Sequence, residues 1–135
     1  MKRNRKGFTL VEIMIVVAII ALLAAIAIPN LLRAKISAND ALAKSTIRSI
    51  STAAETFATA QTGNYPTQMA DLTATVGTTP PYLNKDYVAD SPVAGFSYYT
   101  TFVTGGYTVT AHPVGLGTTG TTTFTITTGG ILTGE

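Results

Sequence analysis

Residues 7–29 read GFTLVEIMIVVAIIALLAAIAIP. Between Phe8 and Ile28 only Thr9 and Glu12 are not apolar. As a helix this run is about 31 Å long at the usual rise per residue, which matches the hydrocarbon core of a bilayer. Glu12 is the anomaly. A carboxylate at mid-membrane costs about 2.5–3.5 kcal/mol on insertion scales and less near the interface. A function that needs the charge is therefore expected at that position.

Lys2, Arg3, Arg5 and Lys6 stand before the run. The 135 residues hold nine cations and seven acids, for a net charge of +2. The balance reverses once the four leader cations are set aside. The basic character thus belongs to a short leader, and no basic patch marks the rest as a nucleic-acid surface. Cysteine is absent, which excludes disulfides, zinc ribbons, thiol nucleophiles and Fe–S sites.

A basic leader and an apolar run admit three readings. The first is a secretory signal, for which Ala25-Ile26-Ala27 offers a cleavage site. The second is a plain membrane anchor. The third is a leader cut before the apolar run. Neither of the first two gains anything from Glu12, so the carboxylate favours the third. Four cations before the span, against Arg33 and Lys35 beyond it, predict a cytoplasmic N-terminus and an exported remainder.

In its basic leader, Gly7, Phe8, the acid four residues on, the apolar run and Pro29, the segment resembles the N-terminus of type IV pilins and type II secretion pseudopilins. The resemblance implies cleavage between Gly7 and Phe8 by a membrane-embedded prepilin peptidase, which also N-methylates Phe8. It implies that Glu12 of one subunit faces the Phe8 ammonium of a neighbour in a helical homopolymer. The implied partners are the subunit itself, that peptidase and methyltransferase, an inner-membrane assembly platform, and lipid before assembly. No nucleic acid is expected. The implied function is that of a major pilin-like structural subunit serving adhesion, motility or uptake. The alternative is a major pseudopilin acting as a periplasmic piston. The head would lie in the periplasm first, and outside the cell or in a periplasmic pseudopilus afterwards.

Residues 1–7 then form the leader, 8–28 the membrane or filament-core helix, and 29–62 the helix's amphipathic second half. Pro29 removes a donor and crowds the preceding turn, which predicts a kink or a locally melted segment. Beyond it, Leu32, Ile36, Ala43, Ile47, Ile50, Ala54 and Phe57 form an apolar seam. Lys35, Asn39, Lys44, Arg48, Ser51 and Glu55 are expected on the opposite face, with Asp40 paired to Lys44 one turn on. Gly63 and Pro66 end the helix.

Residues 63–95 make an αβ loop, with a short helix or turn around Met69, Leu72 and Val76. Residues 96–135 make the head. Phe96–Val103, Tyr107–Ala111 and Thr122–Thr127 read as strands, Ile131-Leu132 as a short last one, and Gly105-Gly106 as a tight hairpin. So small a sheet needs a cover for its apolar face, and the seam ending at Phe57 is the adequate one. The fold class is α+β: a long N-terminal helix spine packed by an antiparallel sheet of three or four strands, which is also the pilin layout. No cofactor is expected, because the last hairpin lacks the acids that would support the calcium site of major pseudopilins. Calcium in the head would have to use Asp86 and Asp90 instead. His112 stands alone, and no histidine–carboxylate set is spaced to activate a hydroxyl, so no enzymatic activity is expected.

Overall fold

The computed structural model describes residues 7–75 and 79–134. The four leader cations, Val76 and Glu135 lie outside the described residues. The chain divides into two compact units, Met1–Ala34 and Lys35–Glu135. Helix α1 spans Leu10–Ala60, 51 residues, with Pro29 inside it. The helix assignment is unbroken on both sides of Pro29, so the backbone there does not melt.

In the first unit the apolar side chains point outward. Phe8 is 85% exposed, and every Leu, Ile and Val from Leu10 to Leu32 is exposed. This segment has a mean hydropathy of 3.0, enough in length and composition to cross a membrane. Among the described residues nothing buries this apolar stretch, and a helix apolar on all sides is one that lipid or other helices cover.

The second unit has its own core. Short helix α2 (Ala70–Thr73) lies in the αβ loop. It is followed by β1 (Phe96–Val103), β2 (Gly106–Pro113), β3 (Phe124–Thr127) and β4 (Ile131–Gly134). The four strands form an antiparallel meander in sequence order. Phe96, Tyr98, Tyr107, Val109, Ala111, Phe124 and Ile126 point inward onto Ala43, Ile47, Ile50 and Ala54 of α1. The alternation of β-branched and aromatic residues with threonine produces that one-sided burial.

Three local expectations change. The covered seam begins at Ala43, because the sheet reaches no further along the helix; Leu32 stays exposed and Ile36 only half-buried. The β1–β2 turn is Thr104-Gly105, with Gly105 at φ +87°, and Gly106 already pairs with Val103. At the end of α1, Thr62 takes the left-handed conformation (φ +56°) ahead of Gly63 (φ +96°). Gly63 N–H donates to Ala58 C=O at 2.7 Å. That bond is the longer of the two in a Schellman cap, which puts Thr62 where glycine is usual.

One buried group is out of balance. Tyr98 is 1% exposed, and its hydroxyl has no hydrogen-bond partner among the described residues. Thr46, buried on the facing helix, misses bonding geometry, and burial raises the phenol's pKa. Tyr98→Phe is expected to stabilise the head by about 1 kcal/mol, since it removes an unpaired buried hydroxyl and keeps the ring. Urea unfolding of the two proteins would measure it; a lowered midpoint would show that the hydroxyl is satisfied in solution.

Candidate functional site

The residues that sequence singles out, Gly7, Phe8 and Glu12, lie together where α1 begins. Residues 7–9 are outside regular structure, and the helix starts at Leu10. Thr9 is the residue that organises them. Its backbone N–H donates to Glu12 Oε2 at 2.7 Å, and its hydroxyl donates to the same oxygen at 2.8 Å. Glu12 N–H lies 3.2 Å from Thr9 Oγ1. This reciprocal arrangement is a capping box, with Thr9 as N-cap and Glu12 three residues into the helix.

The carboxylate is therefore not bare. It satisfies an orphan amide of the first turn and sits at the positive end of the helix dipole. Sequence reasoning weighed Glu12 only as a charge and passed over Thr9, although T-x-x-E before an apolar run is the signature of such a cap. Glu12 Oε1 has no partner among the described residues. Among the described residues nothing stands within 4 Å of where a Gly7 side chain would begin. The packing of the described residues therefore does not demand glycine there.

A second polar centre joins spine to head, and it revises the expected polar face. Glu55 Oε1 accepts from Tyr107 OH at 2.9 Å and from Gly129 N–H at 2.7 Å. Its Oε2 accepts from Tyr65 OH at 2.9 Å. Ser51 is 4% exposed and its hydroxyl bonds Tyr107 OH at 2.6 Å. One carboxylate thus ties together α1, the start of the αβ loop, β2 and the β3–β4 turn. Lower on the helix, Asn39 Nδ2 donates to Thr119 C=O at 2.8 Å. Asp40 accepts from Thr121 N–H at 3.0 Å and Thr121 OH at 2.6 Å. Asp40 does not pair with Lys44, whose ammonium instead lies 4.9 Å from the centroid of the Phe124 ring. These residues flank the seam, and β2, the loop after it and the turn after β3 offer them amides and hydroxyls that a solvated ion pair cannot match.

These contacts shift ionisation. Burial alone would raise the Glu55 pKa, but hydrogen bonds from Gly129, Tyr65 and Tyr107 outweigh it and hold the carboxyl below the usual 4.5. Burial first, then Glu55 beside it, pushes Tyr107 up to about 12. The bond to Glu55 raises Tyr65. The depressed Glu55 contributes stability that is full above its unfolded value and lost as pH falls through its folded one. The raised tyrosines contribute stability that is full below about 10 and lost as pH rises through their folded values. Denaturation midpoints should be flat from about pH 5 to about pH 10 and fall on both sides. Glu55→Gln should shallow the acid limb, the remainder belonging in part to Asp71. There burial raises the pKa, and bonds from Thr67 and Gln68 more than reverse it. An acid limb unchanged in Glu55→Gln would remove Glu55 from this role.

The other sequence candidates are dispersed. Asp86 Oδ1 accepts from the N–H groups of Val88 and Ala89, both at 2.9 Å. Asp90 lies 3.5 Å from the Lys85 ammonium. Among the described residues no three His, Asp or Glu side chains gather as metal ligands. His112 is exposed at the end of β2, opposite Ser97.

Residues 2–28 match the family model of the prokaryotic N-terminal methylation motif. A 38-residue stretch, 28% of this chain, is 68% identical to the type IV wide pilus major component PilA4 of Thermus thermophilus and covers 29% of it. A 55-residue stretch, 41% of this chain, is 51% identical to the type IV major pilin protein PilA of Myxococcus xanthus and covers 24% of it. A 91-residue stretch, 67% of this chain, is 36% identical to the type II secretion system core protein G of Aeromonas hydrophila and covers 58% of it. The chain thus spans well under two thirds of the curated relatives it matches. No solved structure matches. The chain thus carries a prokaryotic N-terminal methylation motif, and the relatives to which it is similar are type IV pilins and type II secretion core proteins.

Proposed function

We propose that this chain is a major pilin-like subunit of a type IV pilus. It is made as a membrane-anchored prepilin with a cytoplasmic N-terminus, cut between Gly7 and Phe8, methylated on Phe8, and polymerised into a helical filament. The observation that carries the reading is the capped Glu12 at the head of a helix whose Leu, Ile and Val side chains from Leu10 to Leu32 are all uncovered. Thr9 occupies Oε2 and leaves Oε1 to accept a neighbour's Phe8 ammonium, so two charges that are each costly in hydrocarbon become a pair. Desolvation offsets much of that attraction. Its safer benefit is register, because every wrong stagger leaves a charge unpaired. The open space around Gly7 supports the same reading: its glycine is explained by a peptidase cleft that must take the scissile peptide in extended form. Pro29 would let the helix bend where the apolar span ends.

A type II secretion pseudopilin is the second reading, and one observation favours it. A 91-residue match cannot be confined to α1, so the likeness to core protein G extends past the helix into the αβ loop. Mass spectrometry of the protein from cells, with imaging of sheared surface material, tests both. A chain beginning at Phe8 with one added methyl group, in abundant thin filaments, is expected. An intact leader, or a cut after Ala27, would refute the processing. Correct processing without surface filaments would move the function to the secretion piston.

A further inference from the structure

The sheet has two open margins, one on β1 and one on β4. The ladder determines which backbone groups face them. Thr128 N–H donates to Tyr107 C=O at 3.1 Å, so Tyr107, Val109 and Ala111 turn their backbone groups toward β3. Gly106, Thr108 and Thr110 then turn toward β1. By the same alternation Phe96, Tyr98, Thr100 and Phe102 of β1 aim N–H and C=O outward. The first two are engaged: Phe96 exchanges bonds with Val93 at 2.8 and 3.0 Å, and Tyr98 N–H donates to Ser91 Oγ at 2.9 Å. The outward groups of Thr100 and Phe102 have no partner among the described residues. On β4 the outward residues are Leu132 and Gly134, and they are equally free among the described residues.

An open strand edge is a pairing template, which soluble chains commonly blunt with charge, proline or a covering element. Thr100–Val103 and Ile131–Gly134 contain neither a charged residue nor a proline. We propose that the β4 edge of one subunit pairs antiparallel with the β1 edge of a second copy, with Leu132 opposite Phe102 and Gly134 opposite Thr100. The donors and acceptors of the two edges are complementary, and the pairing continues the up-and-down order of the meander. This register makes two hydrogen-bonded pairs. A slip that sets Gly134 opposite Tyr98 meets an N–H already given to Ser91. On the outer face it places Ile131, 63% exposed, against Val103, 59% exposed, so each covers the other. On the inner face it continues the core from Phe102 to Leu132, both partly buried in each subunit. The contact is head-to-tail, so each added copy leaves a fresh edge and the assembly is open-ended. It deepens the filament reading by naming a contact between heads, and it rests on that reading for its setting.

The absence of cysteine makes the test direct. Val103→Cys with Ile131→Cys sets two thiols across a non-hydrogen-bonded pair, with Cα atoms about 4.5 Å apart, within disulfide range. Full-length protein in membranes and sheared filaments is oxidised with copper phenanthroline and run without reductant. A thiol-reversible ladder of dimers, trimers and higher species is expected from the double variant and from neither single one. Adding Thr100→Pro, which removes only an outward N–H, should weaken the ladder at least tenfold. Monomer alone from the double variant, dimers from either single variant, or a ladder that survives Thr100→Pro overturns the contact. Imaging the same material separates the two readings. Filaments without a ladder remove the edge contact and leave polymerisation standing. A ladder without filaments keeps the contact and removes the pilus.

Discussion

Glu12→Gln is expected to leave the helix start intact and to abolish filaments. Glutamine at the third helical position can still reach back to Thr9, so the capping box survives, and only the charge is lost. In the filament, the neighbour's Phe8 ammonium would then be buried without a counter-ion. Removing one partner of a buried pair costs about 3–5 kcal/mol, roughly two to nearly four powers of ten in the equilibrium of each contact. Because a filament repeats the contact at every subunit, surface filaments should fall below detection while the processed protein accumulates in the membrane. Immunoblots of membrane and sheared fractions, with circular dichroism of the detergent-solubilised chain, read both effects. The complementary variant is Thr9→Ala. It breaks the cap and costs about 1 kcal/mol of helix stability with the charge kept. Normal assembly of Glu12→Gln together with poor assembly of Thr9→Ala would reduce Glu12 to a helix cap.

The second large effect belongs to Phe96→Ala. Phe96 is fully buried at the start of β1, and its ring stacks on Phe124 with centroids 6.1 Å apart. A side chain added at Gly120 would run into that ring and into the Asp40 carboxylate. The ring is thus held between β3 and a loop that Asp40 fixes to α1. Truncation leaves a cavity its neighbours cannot fill, because the ladder holds both strands in place. The expected loss is about 3–5 kcal/mol, a large share of the 5–15 kcal/mol that usually holds a domain together. At about 4–8 °C per kcal/mol for a unit of this size, the head should melt at least 12 °C lower, as read by near-ultraviolet circular dichroism. A loss under 1 kcal/mol would mean that the loop collapses onto β1.

Much of this molecule is legible without coordinates. A 3.6-residue period with small and branched residues at Ala43, Ile47, Ile50 and Ala54 announces a helix face. Threonine alternating with Phe124 and Ile126 announces a half-buried strand. Both signals are local, since each needs only a few neighbouring residues and the geometry of one element. The roles of Glu55, Ser51 and Asp40 were not legible. On a helical wheel they fall beside the polar flank, and residues at that angle face water or a partner according to what lies across from them. What lies across comes from far along the chain: Tyr107 and Gly129 for Glu55, Thr121 for Asp40.

The N-terminal motif is a middle case. Glu12 could be picked out by composition alone, because a charge in an apolar run is conspicuous, whereas Gly7 and Phe8 were marked by the resemblance to pilins. Thr9 could have been found by its spacing and was hidden by that charge. Sequence by itself determined the apolar span, the helix, the strands and the position of the odd acid, since these follow from hydropathy and backbone preference over short windows. Tertiary structure alone decided where the core begins on the helix, which polar side chains clamp the head, and which strand edges stay open. Those depend on hydrogen-bond partners whose separation in sequence no local pattern records.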